Sequence, residues 1–291
     1  MFNPLPEYPL KPGRLFSLFL FGWFILNIVQ AVFTEIGNDE SYYWVYSQFL
    51  DWGYFDHPPM VALVVKIGTL LAGNTTLGVR LVVILMQVLF LIVLYRLTGV
   101  EHTGQNIGLF FLTSFSVVMI QAYGFIATPD APLLFFTVLF LWSYWYFLQS
   151  GNSTKGTLLM AFCMAGLMYS KYHGGLVIML VFLSNPKLFR KPAFYLSVLI
   201  AIGLYLPHIL WQVNNDFPSL KYHLVERSKG FRWSYFPDFL VNQLPVFNPF
   251  TLGAGVYVFF RRREKGPFER ALKFLFAGLL IFFTFWNFKG R

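Results

Sequence analysis

The sequence predicts an all-α fold: a polytopic transmembrane helical bundle of about nine spans, with amphipathic interfacial helices in the first outer loop. Of the 291 residues, 57% are hydrophobic and only 12% are charged, and the mean hydropathy is +0.58. A soluble domain carries about 25% charged residues, so this composition predicts a membrane protein. The single cysteine, Cys163, lies in an apolar run and offers neither a disulfide framework nor a thiolate metal site.

Apolar runs long enough to cross a membrane, about 20 residues, recur along the chain. In order they are 15–33, 77–97, 105–124, 131–148, 193–212, 239–260 and 270–286. Two shorter runs, 157–170 and 174–184, predict either short tilted spans or a re-entrant pair that lines a cavity. Counting both as spans gives about nine crossings.

The first outer loop contains two further predicted helices. The pattern in residues 39–50 is that of an amphipathic helix lying in the membrane interface. The residues that share its predicted apolar face are Tyr42, Tyr46, Phe49 and Leu50. Residues 59–72 form a second such stretch, which is mostly apolar and carries Lys66.

The formal net charge of +9 reflects membrane topology. With the N-terminus in the cytoplasm, 13 of the 22 Lys and Arg residues fall on the inner side, as the positive-inside rule expects: Lys11, Arg14, Arg96, Lys155, Lys187, Arg190, Lys191, Arg261, Arg262, Arg263, Lys265, Arg270 and Lys273. Nucleic acid is therefore not expected as a partner. Four segments, rich in acids and histidines, then share the outer face: 34–76, 125–130, 170–173 and 213–238.

Asp39 and Glu40 directly follow the first span, at a depth where a carboxylate is costly to keep. One interpretation is structural: Asn38 caps a helix, and two acids in its first turn complement the helix dipole. The other is chemical, a general base that takes a proton from an acceptor hydroxyl. Both remain open from position alone, because a carboxylate in a capped turn is also held in place.

Two more outer segments contain acids. Asp56 and His57 lie in the turn Phe55-Asp-His-Pro-Pro, whose prolines predict the start of the second interfacial helix. Alternatively, Asp56 and His57 bind a divalent metal, or His57 donates to a phosphate. Asp130 is predicted as the N-cap of the fourth span, and a role paired with Asp39 stays open because both lie at the same depth.

Basic side chains on the outer face are candidates for binding an anion. Lys171 lies in the turn Ser170-Lys-Tyr-His-Gly, where snorkelling to the interface would also explain it. The loop 213–238 carries Lys221, Arg227, Lys229 and Arg232. Anionic lipid headgroups would account for these charges, and so would a phosphate pocket, because Arg pairs with phosphate through two parallel hydrogen bonds.

Four stretches of the chain form a recognisable combination: Asn38-Asp-Glu-Ser-Tyr-Tyr-Trp, Tyr54-Phe-Asp-His-Pro-Pro, Gly78-Val-Arg and Thr128-Pro-Asp-Ala-Pro. Together they resemble the GT-C glycosyltransferases, in particular bacterial glycosyltransferase family 39. That family includes relatives of the protein O-mannosyltransferases and of the lipid A aminoarabinose transferase. The resemblance implies an inverting enzyme of the bacterial inner membrane. It would move a sugar, hexosyl or mannosyl-like, from a polyprenyl-phosphate carrier to an acceptor hydroxyl on the periplasmic face.

The resemblance also implies roles for individual residues. The catalytic carboxylates would be Asp39, with Glu40 beside it, and Asp130. The side chains that meet the carrier phosphate would be His57, Lys171 and Arg227. In the aminoarabinose branch a Glu at the position of Asp56 helps hold a metal, so Asp56 and His57 are the candidate ligands of a divalent metal here. No other cofactor is implied.

Family members run well beyond 291 residues, so 1–291 is expected to be a GT-C transmembrane domain whose C-terminal part is missing. The acceptor, whether protein, lipid or glycan, is left open, and membrane lipids are the other expected partners. The alternative function is a secondary transporter or lipid flippase, which would need acids within the spans and two related halves. A non-catalytic scaffold would require nothing of the outer polar residues.

Overall fold

The computed structural model describes residues 13–100, 103–151, 153–226 and 235–287, and within them all regular secondary structure is helical. This confirms the all-α class. The α-helices, in chain order, are α1 Arg14–Phe33, α2 Asn38–Gln48, α3 Met60–Ala72, α4 Thr76–Thr98, α5 Gly104–Ser116, α6 Val118–Ala122, α7 Asp130–Gln149, α8 Thr154–Ser170, α9 His173–Leu183, α10 Pro192–Asn214, α11 Pro218–Lys221, α12 Tyr235–Phe247, α13 Pro249–Arg261 and α14 Pro267–Asn287. A 3₁₀ turn, Pro186–Arg190, precedes α10, and a π-helical turn, Tyr222–Glu226, follows α11.

Four helices, α1, α4, α7 and α10, are long and apolar enough to cross a membrane, judged by length and composition within the described residues. The protein is therefore an integral membrane protein, whereas the count of nine crossings stays a prediction. Two predicted spans are interrupted. Residues 105–124 divide into α5 and α6 at Val117, whose backbone is extended. Residues 239–260 divide into α12 and α13 at Asn248, which has a positive φ of 62°.

The core centres on α7, which packs against both α4 and α8. Its buried face carries Phe140, Tyr144 and Phe147, each with no exposed surface. Lipid tails give helices little hydrophobic reason to associate, so close packing around small residues matters more. Gly166 of α8 shows this, because a Cβ there would lie 2.2 Å from the Phe136 ring.

The two interfacial helices occur where they were predicted, as α2 and α3. The residues of α2 that pack inward are Glu40, Tyr43 and Ser47, because α2 packs on α3 and Glu40 pairs with the buried Arg80 near the start of α4. On the predicted apolar face, Tyr42 is 39% exposed and Phe49 75% exposed. An apolar face that lies in the membrane interface is exposed in this way, so the interfacial placement of that face stays a prediction.

Helix α3 is fixed against α4 by a close approach of backbones. A Cβ on Gly68 would lie 2.2 Å from the carbonyl oxygen of Gly78, a distance that no side chain tolerates. Because α3 begins just after the turn that carries Asp56 and His57, this contact also sets the position of that turn.

Candidate functional site

A buried ion pair lies beneath the start of α2. Arg80 of α4 and Glu40 of α2 are each only 2% exposed. Arg80 Nε donates to Glu40 Oε1 at 2.8 Å, and Nη2 donates to Oε2 at 2.6 Å. The remaining guanidinium hydrogens go to the carbonyl oxygens that end α1, those of Ala31, Thr34 and Glu35, at 2.9 to 3.1 Å.

Every hydrogen-bonding position of this pair is used. The five hydrogen bonds of Arg80 match the five N–H donors of a guanidinium. Glu40 also accepts from the backbone N–H of Ala127 at 3.0 Å and of Gly37 at 3.1 Å, which fills the four lone-pair positions of a carboxylate. Burial alone would raise the pKa of Glu40, but these hydrogen bonds outweigh burial and lower the pKa below its usual value.

The N-cap of α2 is Gly37 rather than Asn38, which is the first helical residue. Glu40, three positions further on, accepts from the Gly37 N–H as in one half of a capping box. The capping interpretation of the acidic pair therefore applies to Glu40. Asp39 is exposed and lines a cleft of about 380 Å³. The other residues that line this cleft are Thr34, Glu35, Gly37, Asn38, Glu40, Arg80, Phe125, Ile126 and Thr128.

Asp130 does not cap α7. It is the first helical residue after Pro129 and makes no side-chain cap hydrogen bond, so the capping prediction is wrong. Its carboxylate instead accepts from the ammonium group of Lys171, at 2.7 Å and 2.9 Å to its two oxygens. Both side chains are partly exposed, 20% for Lys171 and 29% for Asp130. Lys171 therefore makes a defined ion pair with Asp130, and snorkelling to the interface is not needed to explain its position.

The predicted outer acids lie at one end of the bundle. Glu40 accepts from the Ala127 N–H, and Asp39 lines the same cleft as Thr128, two residues before Asp130. The Tyr43 ring of α2 lies 5.8 Å from the ring of His57. Burial and the negative charges of Asp56, Asp39 and Asp130 raise the pKa of Tyr43, as this arrangement requires.

Asp56 sits among tyrosines. Its Oδ1 accepts from the hydroxyls of Tyr42 at 3.2 Å and Tyr46 at 3.1 Å, and His57 Nε2 lies 3.6 Å from its Oδ2. His223 Nε2 lies 2.8 Å from the Asp56 carbonyl oxygen. Within the described ranges, no three His, Cys, Asp or Glu side chains are grouped so as to hold a metal ion. Asp56 and His57 supply only two such side chains, so their role as metal ligands stays a prediction.

A buried polar network holds the turn that carries Asp56 and His57. His208 Nδ1 lies 2.6 Å from the Trp52 carbonyl oxygen, which makes Nδ1 the donor, and its Nε2 lies 3.1 Å from the Tyr172 hydroxyl. Gln212 donates to Tyr172 at 2.8 Å and to Ser219 at 2.7 Å. Ser219 in turn donates to the carbonyl oxygen of Tyr54 at 2.7 Å. The end of α10 therefore joins the turn, the segment next to Lys171, and α11.

Sequence reasoning missed Arg80 and the His208–Gln212 pair as site residues. Arg80 lies within the apolar span 77–97, on the side opposite to the basic inner end with Arg96, and an ionisable residue within a span is by default a functional candidate with a partner to be found. His208 and Gln212 are four residues apart on one helical face, inside a predicted span. Arg227, predicted to meet phosphate, lies outside the described residues.

The comparisons with known proteins agree with this architecture. The chain is 26% identical to the lipid A galacturonosyltransferase RgtD of Rhizobium johnstonii over 287 residues, which cover 92% of this chain and 59% of that one. It is similar in fold to ArnT from Cupriavidus metallidurans in the apo state, with a TM-score of 0.71, 19% identity, and coverage of 93% of this chain and 54% of ArnT.

The same ArnT bound to undecaprenyl phosphate gives a TM-score of 0.67 at 16% identity, covering 93% of this chain and 55% of that one. The chain thus spans between half and two thirds of the length of these relatives. The sequence model of the dolichyl-phosphate-mannose-protein mannosyltransferase family matches residues 56–211, more than half of the chain. The chain therefore belongs to this family of GT-C glycosyltransferases.

Proposed function

We propose that the protein is a glycosyltransferase that moves a sugar from a polyprenyl-phosphate carrier to an acceptor hydroxyl, with inversion at the anomeric carbon. The observation that carries this proposal is the saturated Glu40–Arg80 pair, which fixes the exposed Asp39 at the rim of a cleft. The position of Asp39 beside the segment that leads to Asp130 supports it, because Asp39 and Thr128 line one cleft and the Ala127 N–H donates to Glu40. Family membership makes sugar transfer the chemistry to expect of such a site.

Asp39 is the proposed general base. It takes the proton of the acceptor hydroxyl while the acceptor oxygen forms a bond to the anomeric carbon. The bond between that carbon and the phosphate oxygen breaks on the opposite side, and the carrier leaves as polyprenyl phosphate. Glu40 has no lone pair left to accept a proton, so we assign it a positioning role rather than the catalytic role that its sequence position suggested.

Lys171 is the proposed first contact of the carrier phosphate. An ammonium group has three donors, and two of the Lys171 hydrogen bonds go to Asp130, which leaves one for a phosphate oxygen. Asp130 holds this cation in place, and cations placed in advance stabilise the charge that develops on the departing phosphate. His57 and Arg227 are the further candidates for the same phosphate.

The finer assignments complete the proposal. The sugar is hexosyl, as in mannosyl transfer, and the active site faces the periplasm from the inner membrane. The acceptor hydroxyl belongs to a protein, a lipid or a glycan. The name of RgtD specifies lipid A for that relative, which makes a lipid acceptor the first to test.

The test measures polyprenyl phosphate released from polyprenyl-phosphate hexose by the purified protein in nanodiscs, with a lipid A acceptor. Asp39→Asn should lower the rate on the order of 10²–10⁴-fold, while Asp51→Asn should not, because Asp51 hydrogen-bonds Trp211 away from the Asp39 cleft. Full activity of Asp39→Asn would refute the base assignment. If the wild type releases no carrier phosphate from any donor, the transferase proposal is lost to the transporter or scaffold alternatives.

A further inference from the structure

A cluster of tyrosines around Asp56 has no part in the transfer steps above. Asp56 Oδ1 is held by the Tyr42 and Tyr46 hydroxyls at 3.2 Å and 3.1 Å, and these two hydroxyls also contact each other. The Tyr46 ring stacks on Tyr54, with centroids 4.0 Å apart, so the phenols are fixed. Tyr42 remains 39% exposed. The cluster therefore presents an oriented carboxylate beside an accessible aromatic ring.

This combination suits a sugar. An ionised carboxylate only accepts hydrogen bonds, and sugar hydroxyl or amino groups donate them. An aromatic face can pack against the aliphatic C–H face of a pyranose ring. The Asp56 side chain is 16% exposed. Its Oδ1 is held by two tyrosine hydroxyls, whereas Oδ2 has the longer contact, 3.6 Å to His57 Nε2, so Oδ2 is the oxygen that a sugar hydroxyl would use.

The cluster adjoins the proposed catalytic acids. The Tyr43 ring lies 5.5 Å from that of Tyr42 and 5.8 Å from that of His57. Asp39 precedes Tyr42 by three residues and Tyr43 by four on α2, and residues at that spacing are neighbours on a helix surface. Lys171 is already paired with Asp130. The cleft lined by Asp39 and the family membership locate the active site. The negative charges of Asp56 and Asp39 bear on which sugar that site accepts.

We propose that Asp56, oriented by Tyr42 and Tyr46, contacts the transferred sugar and selects a neutral or amino sugar over a uronic acid. A uronic acid would bring a further carboxylate close to Asp56 and Asp39. Two like charges several ångströms apart near a protein surface repel enough to lower affinity roughly tenfold or more. This inference rests on the proposed transferase function, and it separates the chain from RgtD, whose name specifies a galacturonosyl group.

The experiment compares two donors that differ only at C6, polyprenyl-phosphate galactose and polyprenyl-phosphate galacturonic acid. The ratio of their kcat/KM values is measured at pH 8, where a histidine is ordinarily neutral. Wild type should favour galactose at least roughly tenfold. Asp56→Asn should bring the ratio close to one, whereas Asp51→Asn, at a carboxylate that hydrogen-bonds Trp211, should leave it unchanged. A ratio within one variant does not depend on the fraction of folded protein.

Binding of the two methyl glycosides, followed by saturation-transfer NMR, gives a second readout that needs no turnover. Methyl galactoside should bind more tightly than methyl galacturonoside, and Asp56→Asn should remove the difference. Equal or preferred use of the uronic acid by wild type, in transfer or in binding, overturns the proposal, as does a preference that survives Asp56→Asn. If neither of these two donors is used, the glycoside preference decides the sugar selection by itself, and the transferase function is refuted only when mannosyl and amino-sugar donors also release no carrier phosphate.

Discussion

Arg80 and Glu40 meet through two parallel hydrogen bonds of 2.8 Å and 2.6 Å, although 40 residues of chain separate them. Through this pair α4 is joined to the end of α1, to the first turn of α2 and to the backbone at Ala127. These are the segments that surround Asp39. The pair is costly to bury, and breaking it by removing one partner leaves an uncompensated charge.

Replacement of Arg80 by Lys is expected to impair the site without removing its charge. Lys has three donors on a single atom and cannot reproduce five hydrogen bonds in a planar fork, so α2 and Asp39 should shift. A displacement of about 1 Å can cost on the order of 10² in rate. Carrier-phosphate release measures the effect. Arg96→Lys, at the exposed opposite end of α4, is the matched control, and equal activity of the two variants would contradict the positioning role.

Acid should weaken the fold through Glu40. Because the folded-state pKa of Glu40 lies below its ordinary value of 4.5, the carboxylate contributes stability above that value and loses it as pH falls through the folded pKa. Glu40→Gln should therefore unfold at a lower temperature than wild type at pH 7, and the gap should narrow below about pH 4. Thermal unfolding in detergent from pH 7 to pH 3 tests this. A gap that stays constant with pH would show that the Glu40 charge is irrelevant.

The sequence could predict where most helices lie, but not which of their side chains meet in the fold. The spans that became α1, α4, α7 and α10 are predominantly apolar over about 20 residues, and composition alone locates such helices. The break at Asn248 had a local signal, since Asn248 is followed by Pro249 and an Asn-Pro pair marks a turn. The break at Val117 was missed because the residues around it are mostly apolar. A contact from another helix stabilises the break near Val117, because Gln87 of α4 donates to the Ile120 carbonyl oxygen at 2.9 Å. A local pattern cannot contain that information.

The candidate site follows the same division. The outer positions of Asp39, Asp56, Asp130 and Lys171 followed from topology and from the family resemblance. Their partners did not, because an ion pair between Asp130 and Lys171 or between Glu40 and Arg80 joins distant segments of the chain. Local reasoning assigned Asp130 to a cap, since an acid at a helix start usually is one. In the structure Asp130 pairs with Lys171, which is distant in sequence, instead of with the backbone of its own helix.

Gly68→Ala should separate α3 from α4. The new Cβ would lie 2.2 Å from the Gly78 carbonyl oxygen, so the helices must move apart, and such overpacking costs about 1–3 kcal/mol. Gly203→Ala is the control, because no atom lies within 4 Å of a Cβ there, and it should stabilise its helix by about 0.5–1 kcal/mol. Thermal unfolding of both variants measures this. Destabilisation of the two by the same amount would mean that helix contact is not the cause.

Substitutions of Lys171 and Asp130 should affect different kinetic parameters, KM for the donor and kcat respectively. Lys171→Met removes a charge-assisted hydrogen bond to the carrier phosphate, worth about 1.5–3 kcal/mol, so KM for the donor should rise about tenfold or more. Lys66→Met, on α3, should leave KM unchanged. Asp130→Asn keeps the Lys171 charge but removes the carboxylate that positions it, so KM for the donor should change little, while kcat falls because the cation no longer meets the charge that develops on the departing phosphate. Because Asp130 makes no cap hydrogen bond, Asp130→Asn should also retain the thermal stability of wild type. A loss of stability with kcat unaffected would instead return Asp130 to a purely structural role.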